Sequence, residues 1–212
     1  MSAHMWLAQW LLAALLLSCL LSFGWAMKNF FTKPDRMTLG MKLTTFTGVA
    51  FSILHFVLLL TSSSVTVLTA AIAACLYLGS LALFWWTIQA NRAKPLSACF
   101  SRSERLHLVQ HGPYRFVRHP FYLSYLLAWL GGAAATQSIY LAITVAVMLG
   151  IYISAANKEE RRFSESAHAA EYRAYRDRTG QFLPLPWKFF RVKQDDPARF
   201  TSGVTERPHH LR

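Results

Sequence analysis

Two clusters of side chains in this sequence have types and spacing suited to chemistry. One is His111-Gly112-Pro113-Tyr114-Arg115-Phe116-Val117-Arg118-His119-Pro120-Phe121-Tyr122, and the other is Asn157-Lys158-Glu159-Glu160-Arg161-Arg162. Together they hold cationic, imidazole, phenolic and twin-carboxylate groups, which bind charged ligands and hold or release protons. Each also has a plainer reading. Arg118 and His119 are ordinary juxtamembrane basic residues in that view, and Glu159 and Glu160 the solvated start of a polar helix. Tyr114 and Tyr122 become interfacial belt residues. No metal site is expected: His107 and His111 flank the first cluster without a cysteine or a third histidine at ligand spacing.

The elements between the clusters decide whether they meet. Thirty-six residues separate Tyr122 from Glu159, about 54 Å of continuous helix at 1.5 Å per residue. That length equals two crossings of roughly 27 Å, out and back. A helical hairpin turned at Thr136-Gln137-Ser138 therefore brings Glu159 and Glu160 level with Arg118, His119 and Tyr122. Pro120 fits the first position of its outgoing helix, where a missing N–H costs nothing.

Composition points to the bilayer as the solvent. The chain has 212 residues, 54% apolar and only 15% charged, with a mean hydropathy of +0.27. A soluble domain carries roughly 25% charged residues. Three cysteines, Cys19, Cys75 and Cys99, show no bridge or metal-ligand spacing. Five candidate spans run over about 6–26, 43–60, 65–90, 120–135 and 138–156, the fourth being short. The fold expected is an all-α polytopic membrane bundle of five transmembrane helices, the last two a hairpin, followed by a cytoplasmic C-terminal helix.

The charges agree with five spans without having defined them. All 22 Lys and Arg residues fall in the 27–42 loop, the 91–119 loop or after the fifth span. The two outward turns and the N-terminus hold none. The positive-inside rule makes the charged side cytoplasmic and the N-terminus external, so the protein is expected in a membrane, the cytoplasmic (inner) one. A signal peptide is disfavoured by the absent basic n-region, although Leu16-Leu17-Ser18-Cys19 loosely resembles a lipoprotein cleavage site. The net charge of +12 is read as cytoplasmic loops beside anionic lipid, not nucleic-acid binding. Trp187–Lys193 is expected on the membrane surface, and the tail after Gln194 is expected to be disordered. Three parts follow: an N-terminal three-span bundle over 1–90, a loop, helical hairpin and cytoplasmic helix over 91–193, and the polar tail 194–212.

Gly112-Pro113-Tyr114-Arg115, then Arg118-His119-Pro120-Phe121-Tyr122, a hairpin and Glu159-Glu160 resemble the isoprenylcysteine carboxyl methyltransferase and phospholipid N-methyltransferase superfamily. Glu171-Tyr172-Arg173-Ala174-Tyr175 and Leu183-Pro184 are similar to it as well, so the resemblance covers roughly residues 75–190. Ser166–Ala170 departs from it, lacking a glycine common there. The resemblance implies an integral membrane enzyme that uses S-adenosylmethionine and a lipophilic acceptor arriving through the bilayer. It implies a cofactor site made of Arg118, His119, Pro120, Tyr122, Glu159 and Glu160, with Gly112 and Tyr114 in the loop around it. Arg118 would hold the cofactor carboxylate, a Glu its ammonium or ribose, and an aromatic face its sulfonium. Arg118 and His119 are the catalytic candidates, with His111 a second possible base. Two other readings stay open: a sterol reductase-like membrane enzyme using NADPH, disfavoured by the paired carboxylates, and a non-catalytic scaffold subunit. The acceptor and the oligomeric state have no signal in the sequence.

Overall fold

The structure, a computed structural model, describes residues 3–31, 39–92 and 108–185. Cys99, His107, the Trp187–Lys193 segment and the tail after Gln194 lie outside the described residues. Among those described, the chain is all-helical, with six α-helices: α1 (Ala3–Asn29), α2 (Leu39–Thr61), α3 (Val67–Ala90), α4 (Pro120–Thr136), α5 (Ile139–Ser164) and α6 (Ala169–Arg178). α1, α2, α3 and α5 are each long and apolar enough to cross a membrane. α4, with 17 residues, falls short of the roughly 20 that a full crossing needs.

Local sequence sets most helix ends. Thr66 and Thr69 form a reciprocal capping box at the start of α3, satisfying N–H groups the first turn leaves open. Pro120 opens α4, and Gln137 ends it in the left-handed conformation with φ of 51°. α5 does not stop at Ala156, where the apolar run ends. It continues to Ser164, because Lys158, Glu159, Glu160, Arg161 and Arg162 are all good helix formers with no Gly or Pro among them. The second cluster therefore rides on the same rigid helix as the apolar segment.

The helices pack through small residues and a few polar ties. Gly131 and Gly132 on α4 let it approach the buried Tyr77 of α3 and His55 of α2; a Cβ on Gly132 would sit 2.3 Å from His55 Nδ1. Ser80 Oγ of α3 donates to the Ser124 carbonyl of α4 at 2.7 Å, and His55 Nε2 pairs with Thr144 Oγ1 of α5 at 2.7 Å. Gln9 Nε2 of α1 donates to the Leu59 carbonyl of α2 at 3.2 Å. Around them lie Leu12, Leu16, Leu59, Ala73 and Tyr77, with a second cluster of Ala26, Phe84, Ile88 and Phe121 nearer the loops. The outer faces are apolar: Phe46 is 74% and Val67 80% exposed. Large apolar side chains so displayed are costly in water and free of cost in lipid. The protein is an integral membrane protein.

Candidate functional site

The first cluster is held by a loop with a glycine at its start. Gly112 has φ of +60°, and a Cβ there would lie 2.9 Å from Ala90 Cβ of α3. It begins a short 3-10 turn, Gly112–Arg115. Gly112→Ala is expected to destabilise the protein by about 1–2 kcal/mol, since it combines a left-handed backbone with crowding against α3. Thermal unfolding in detergent reads this directly. His111 Nε2 pairs with the Ala90 carbonyl at 2.9 Å, so that imidazole serves the loop and not the carboxylates. Tyr114 is buried, its hydroxyl accepting from Asn91 Nδ2 at 3.1 Å and its carbonyl accepting from Tyr175 O–H of α6 at 2.8 Å. The loop is clamped between the end of α3 and α6.

Beyond that turn, the backbone is paired with a segment that follows α6. Val117 and Gly180 form a parallel bridge. Arg118 N–H donates to the Gly180 carbonyl at 2.8 Å, and His119 N–H to the Gln181 carbonyl at 3.1 Å. These bonds fix the direction in which Arg118 and His119 enter α4.

Arg118, His119, Tyr122, Glu159 and Glu160 meet in one charged knot. Arg118 Nε donates to Glu160 Oε1 at 3.0 Å, and its Nη2 to Glu160 Oε2 at 3.4 Å. Its Nη1 donates to the Arg176 carbonyl at 3.3 Å and to the Thr179 carbonyl. His119 Nε2 lies 3.1 Å from Glu160 Oε1 and its Nδ1 lies 3.4 Å from Glu159 Oε2. Tyr122 O–H donates to Glu159 Oε1 at 2.7 Å. Gln181 Nε2 donates to Glu160 Oε1 at 3.1 Å and to Asn157 Oδ1 at 3.0 Å. The twin carboxylates thus differ. Glu160 is engaged by three side chains and 14% exposed, whereas Glu159 is 27% exposed.

Aromatic faces adjoin the knot. The His119 ring stacks on Tyr122 with centroids 5.6 Å apart, and Tyr122 stacks on Tyr152 at 5.2 Å. Phe182 packs at 5.9 Å from His119. Tyr152 in turn accepts from Trp129 Nε1 at 3.2 Å.

Burial opposes charge on His119, but its hydrogen bonds to Glu159 and Glu160 outweigh that and raise its pKa above the ordinary value. A raised folded pKa stabilises the fold fully below the unfolded value, about 6.5 for histidine. That contribution is lost as pH climbs through the folded value. Thermal unfolding followed as pH rises above about 6.5 should show this loss, and His119→Gln should flatten it.

The sequence reading anticipated Arg118, His119, Tyr122, Glu159 and Glu160 as neighbours, and the structure brings them together. Pro120 acts as the first residue of α4; Gly112 and Tyr114 shape the loop and touch α3 and α6. His55 lies elsewhere, within the bundle. The sequence reading did not single out Gln181, Phe182, Asn91, or the Arg176 and Thr179 carbonyls. The polar residue two positions before Leu183-Pro184 was the available signal for Gln181.

Residues 68–170 match the phospholipid methyltransferase family. The chain is also similar to the cobalt-zinc-cadmium resistance protein CzcN of Cupriavidus metallidurans, 38% identical over 77 residues, covering 36% of this chain and 35% of that protein. The matched region is thus about a third of that relative's length. No solved structure matches the chain. The matched region, just under half of the chain, takes in nearly all of α3, the loop, α4, all of α5 and both Glu159 and Glu160, and there the chain is similar to the phospholipid methyltransferase family.

Proposed function

We propose that the protein is an S-adenosylmethionine-dependent methyltransferase acting on a lipophilic acceptor dissolved in the membrane. The observation that carries this reading is the charged knot: groups from the start of α4, the end of α5 and the segment after α6 converge within the family-matched region and its flank. The donor set fits the cofactor. Glu159 is a partly exposed carboxylate able to accept from an ammonium or a ribose diol. The neighbouring rings of Tyr122 and Tyr152 suit a sulfonium.

S-adenosylmethionine supplies a methyl carried on positive sulfur: an acceptor lone pair forms the new bond to carbon while the carbon–sulfur electron pair returns to sulfur, leaving a neutral thioether. The protein's share is alignment and exclusion of water, which together supply about 7–11 kcal/mol in well-oriented reactions. Arg118 is a positioning residue in this account. Its fork is spent on Glu160 and on the carbonyls closing α6, so it locks the carboxylate and the 179–182 segment together. His119, held between the two glutamates with both ring nitrogens engaged, orders Glu159; an amine or thiol acceptor would pass its proton to a carboxylate or to water. A carboxylate acceptor needs no base.

In this reading α4 is also a span, the fourth of five. It pairs with α5 as a hairpin, because Tyr122 meets Glu159 and Trp129 meets Tyr152 in antiparallel order. The knot then sits at the cytoplasmic rim, since the positive-inside rule places the basic loops there. Paired carboxylates at the knot disfavour NADPH, whose 2′-phosphate calls for cations. The test is transfer of a tritiated methyl from S-adenosylmethionine into the lipid extract of the purified protein in native-lipid nanodiscs. Label that depends on Glu159 supports the reading; an extract without label, from a sample that also fails to bind S-adenosylhomocysteine, contradicts it.

A further inference from the structure

Tyr125 lies one helical turn beyond Tyr122 on α4, about 4.5 Å further along the axis and deeper in the apolar segment. Its ring joins two aromatic clusters. Phe23 of α1 packs edge-on against it at 4.6 Å, Tyr152 of α5 lies at 5.8 Å and Phe84 of α3 at 6.3 Å. Tyr122, which is bonded to Glu159, is 6.4 Å away. Side chains from α1, α3 and α5 therefore wall the ring on several sides. A belt tyrosine turns outward to the head groups; this one turns into the bundle.

The hydroxyl sets Tyr125 apart. Its neighbours spend theirs inside the protein: Tyr122 donates to Glu159, Tyr114 accepts from Asn91 and Tyr152 accepts from Trp129. The Tyr125 hydroxyl makes no hydrogen bond to any described residue, although Glu159 and the hydroxyls of Tyr114 and Tyr152 lie within electrostatic reach of it. At membrane depth an unbonded polar group has no bulk water to turn to, and phenylalanine would fill the same space without that cost. Folded chains keep such a mismatch chiefly where function requires it.

We propose that the Tyr125 hydroxyl holds the polar end of a long-chain amphiphile entering this ring-walled space from the bilayer. A hydroxyl both donates and accepts, so it can meet a lone pair or an N–H, O–H or S–H. The subsite adjoins the rings of Tyr122 and Tyr152, so a polar end held there faces the sulfonium that those rings suit. Identification of this amphiphile as the methyl acceptor rests on the methyltransferase reading above; its capture by Tyr125 does not.

The probes are a diazirine-bearing hexadecanol and the diazirine hexadecane of the same chain, photolysed with the full chain in phosphatidylcholine nanodiscs and mapped by mass spectrometry. The alcohol should label the turns around Phe23, Phe84 and Tyr125. Tyr125→Phe should lower that labelling about tenfold, a difference of about 1.4 kcal/mol, and the hydrocarbon should label both proteins alike. Because the hydroxyl has no bond to lose, Tyr125→Phe should leave the unfolding temperature and S-adenosylhomocysteine affinity unchanged. In the methyl-transfer assay it should raise about tenfold the fraction of native lipid, diluted in phosphatidylcholine, that gives half the maximal rate. Absence of alcohol labelling at these turns, labelling that Tyr125→Phe leaves intact, or loss of stability in that variant overturns the assignment. An unchanged half-saturating fraction overturns the identification with the methyl acceptor. A natural protein that neither binds S-adenosylhomocysteine nor transfers label overturns the methyltransferase reading, and the labelling contrast then still supports or overturns the role of Tyr125.

Discussion

Glu160→Ala is expected to weaken S-adenosylhomocysteine binding about 100-fold and to destabilise the fold by about 3 kcal/mol, whereas Glu159→Gln should lose affinity with the fold intact. The two carboxylates are adjacent in sequence and similar in chemistry, so the contrast rests on geometry. Glu160 is the anion shared by Arg118, His119 and Gln181. Its removal leaves a guanidinium 11% exposed without its carboxylate and an imidazole 10% exposed with Glu159 alone. Removing one partner from a largely buried pair costs more than the pair contributes, because the survivor stays desolvated. Arg118 keeps the Arg176 and Thr179 carbonyls, which holds the loss to about 3 kcal/mol. Glu159 bonds Tyr122 and His119 at a more open position, and glutamine there keeps the shape and removes only the charge. Unfolding and binding measured on both variants separate the roles: equal destabilisation by the two would contradict this division.

Gly132→Ala and Gly131→Ala should each destabilise the protein by about 2 kcal/mol, opposite in sign to the usual effect. Alanine in a helix interior is normally favoured over glycine by about 1 kcal/mol. Here the added methyl on Gly132 would lie 2.3 Å from His55 Nδ1 and 3.3 Å from Tyr77 Oη, and on Gly131 it would lie 2.7 Å from Tyr77 Cε1. Neither ring has room to yield. His55 and Tyr77 are fully buried, and His55 is held by Thr144 and by the edge of Trp129 at 5.0 Å. A Cβ on Gly48 or Gly79 would meet nothing within 4 Å, so Gly48→Ala and Gly79→Ala should be neutral or stabilising by up to about 1 kcal/mol. Thermal unfolding in detergent of all four variants checks the sign. Stabilisation by Gly132→Ala would mean that α4 does not approach α2 and α3 as described.

Much of the architecture is legible because charge-free apolar runs announce membrane helices. The starts at Pro120 and near Val67, and the turn at Gln137, follow from proline, threonine and polar residues at the right places. The approach of Tyr122 to Glu159 follows from counting residues along an outgoing and a returning helix. Other features carry no local signal. Gln181 reaches Glu160 because Gly180 and Gln181 pair with Val117–His119 through the backbone, and backbone pairing of two loop segments far apart in sequence has no residue code. Gly131–Gly132 reads as a weakness in a helix until the rings of Tyr77 and His55 are found against it. The continuation of α5 to Ser164 was legible in propensity, yet the end of the apolar run at Ala156 drew the boundary instead. Arg118 illustrates the limit on roles: its type suits a ligand carboxylate, and only geometry shows its fork spent on Glu160 and the end of α6.

The central claim is that the knot of Arg118, His119, Tyr122, Glu159 and Glu160 holds S-adenosylmethionine. Its most direct test is calorimetric titration of the detergent-purified full chain with S-adenosylhomocysteine, in parallel with NADPH, for the natural protein and Glu160→Ala. The account predicts saturable binding of S-adenosylhomocysteine that Glu160→Ala weakens about 100-fold, and no binding of NADPH. Saturable binding of NADPH by a folded sample that ignores S-adenosylhomocysteine would contradict it.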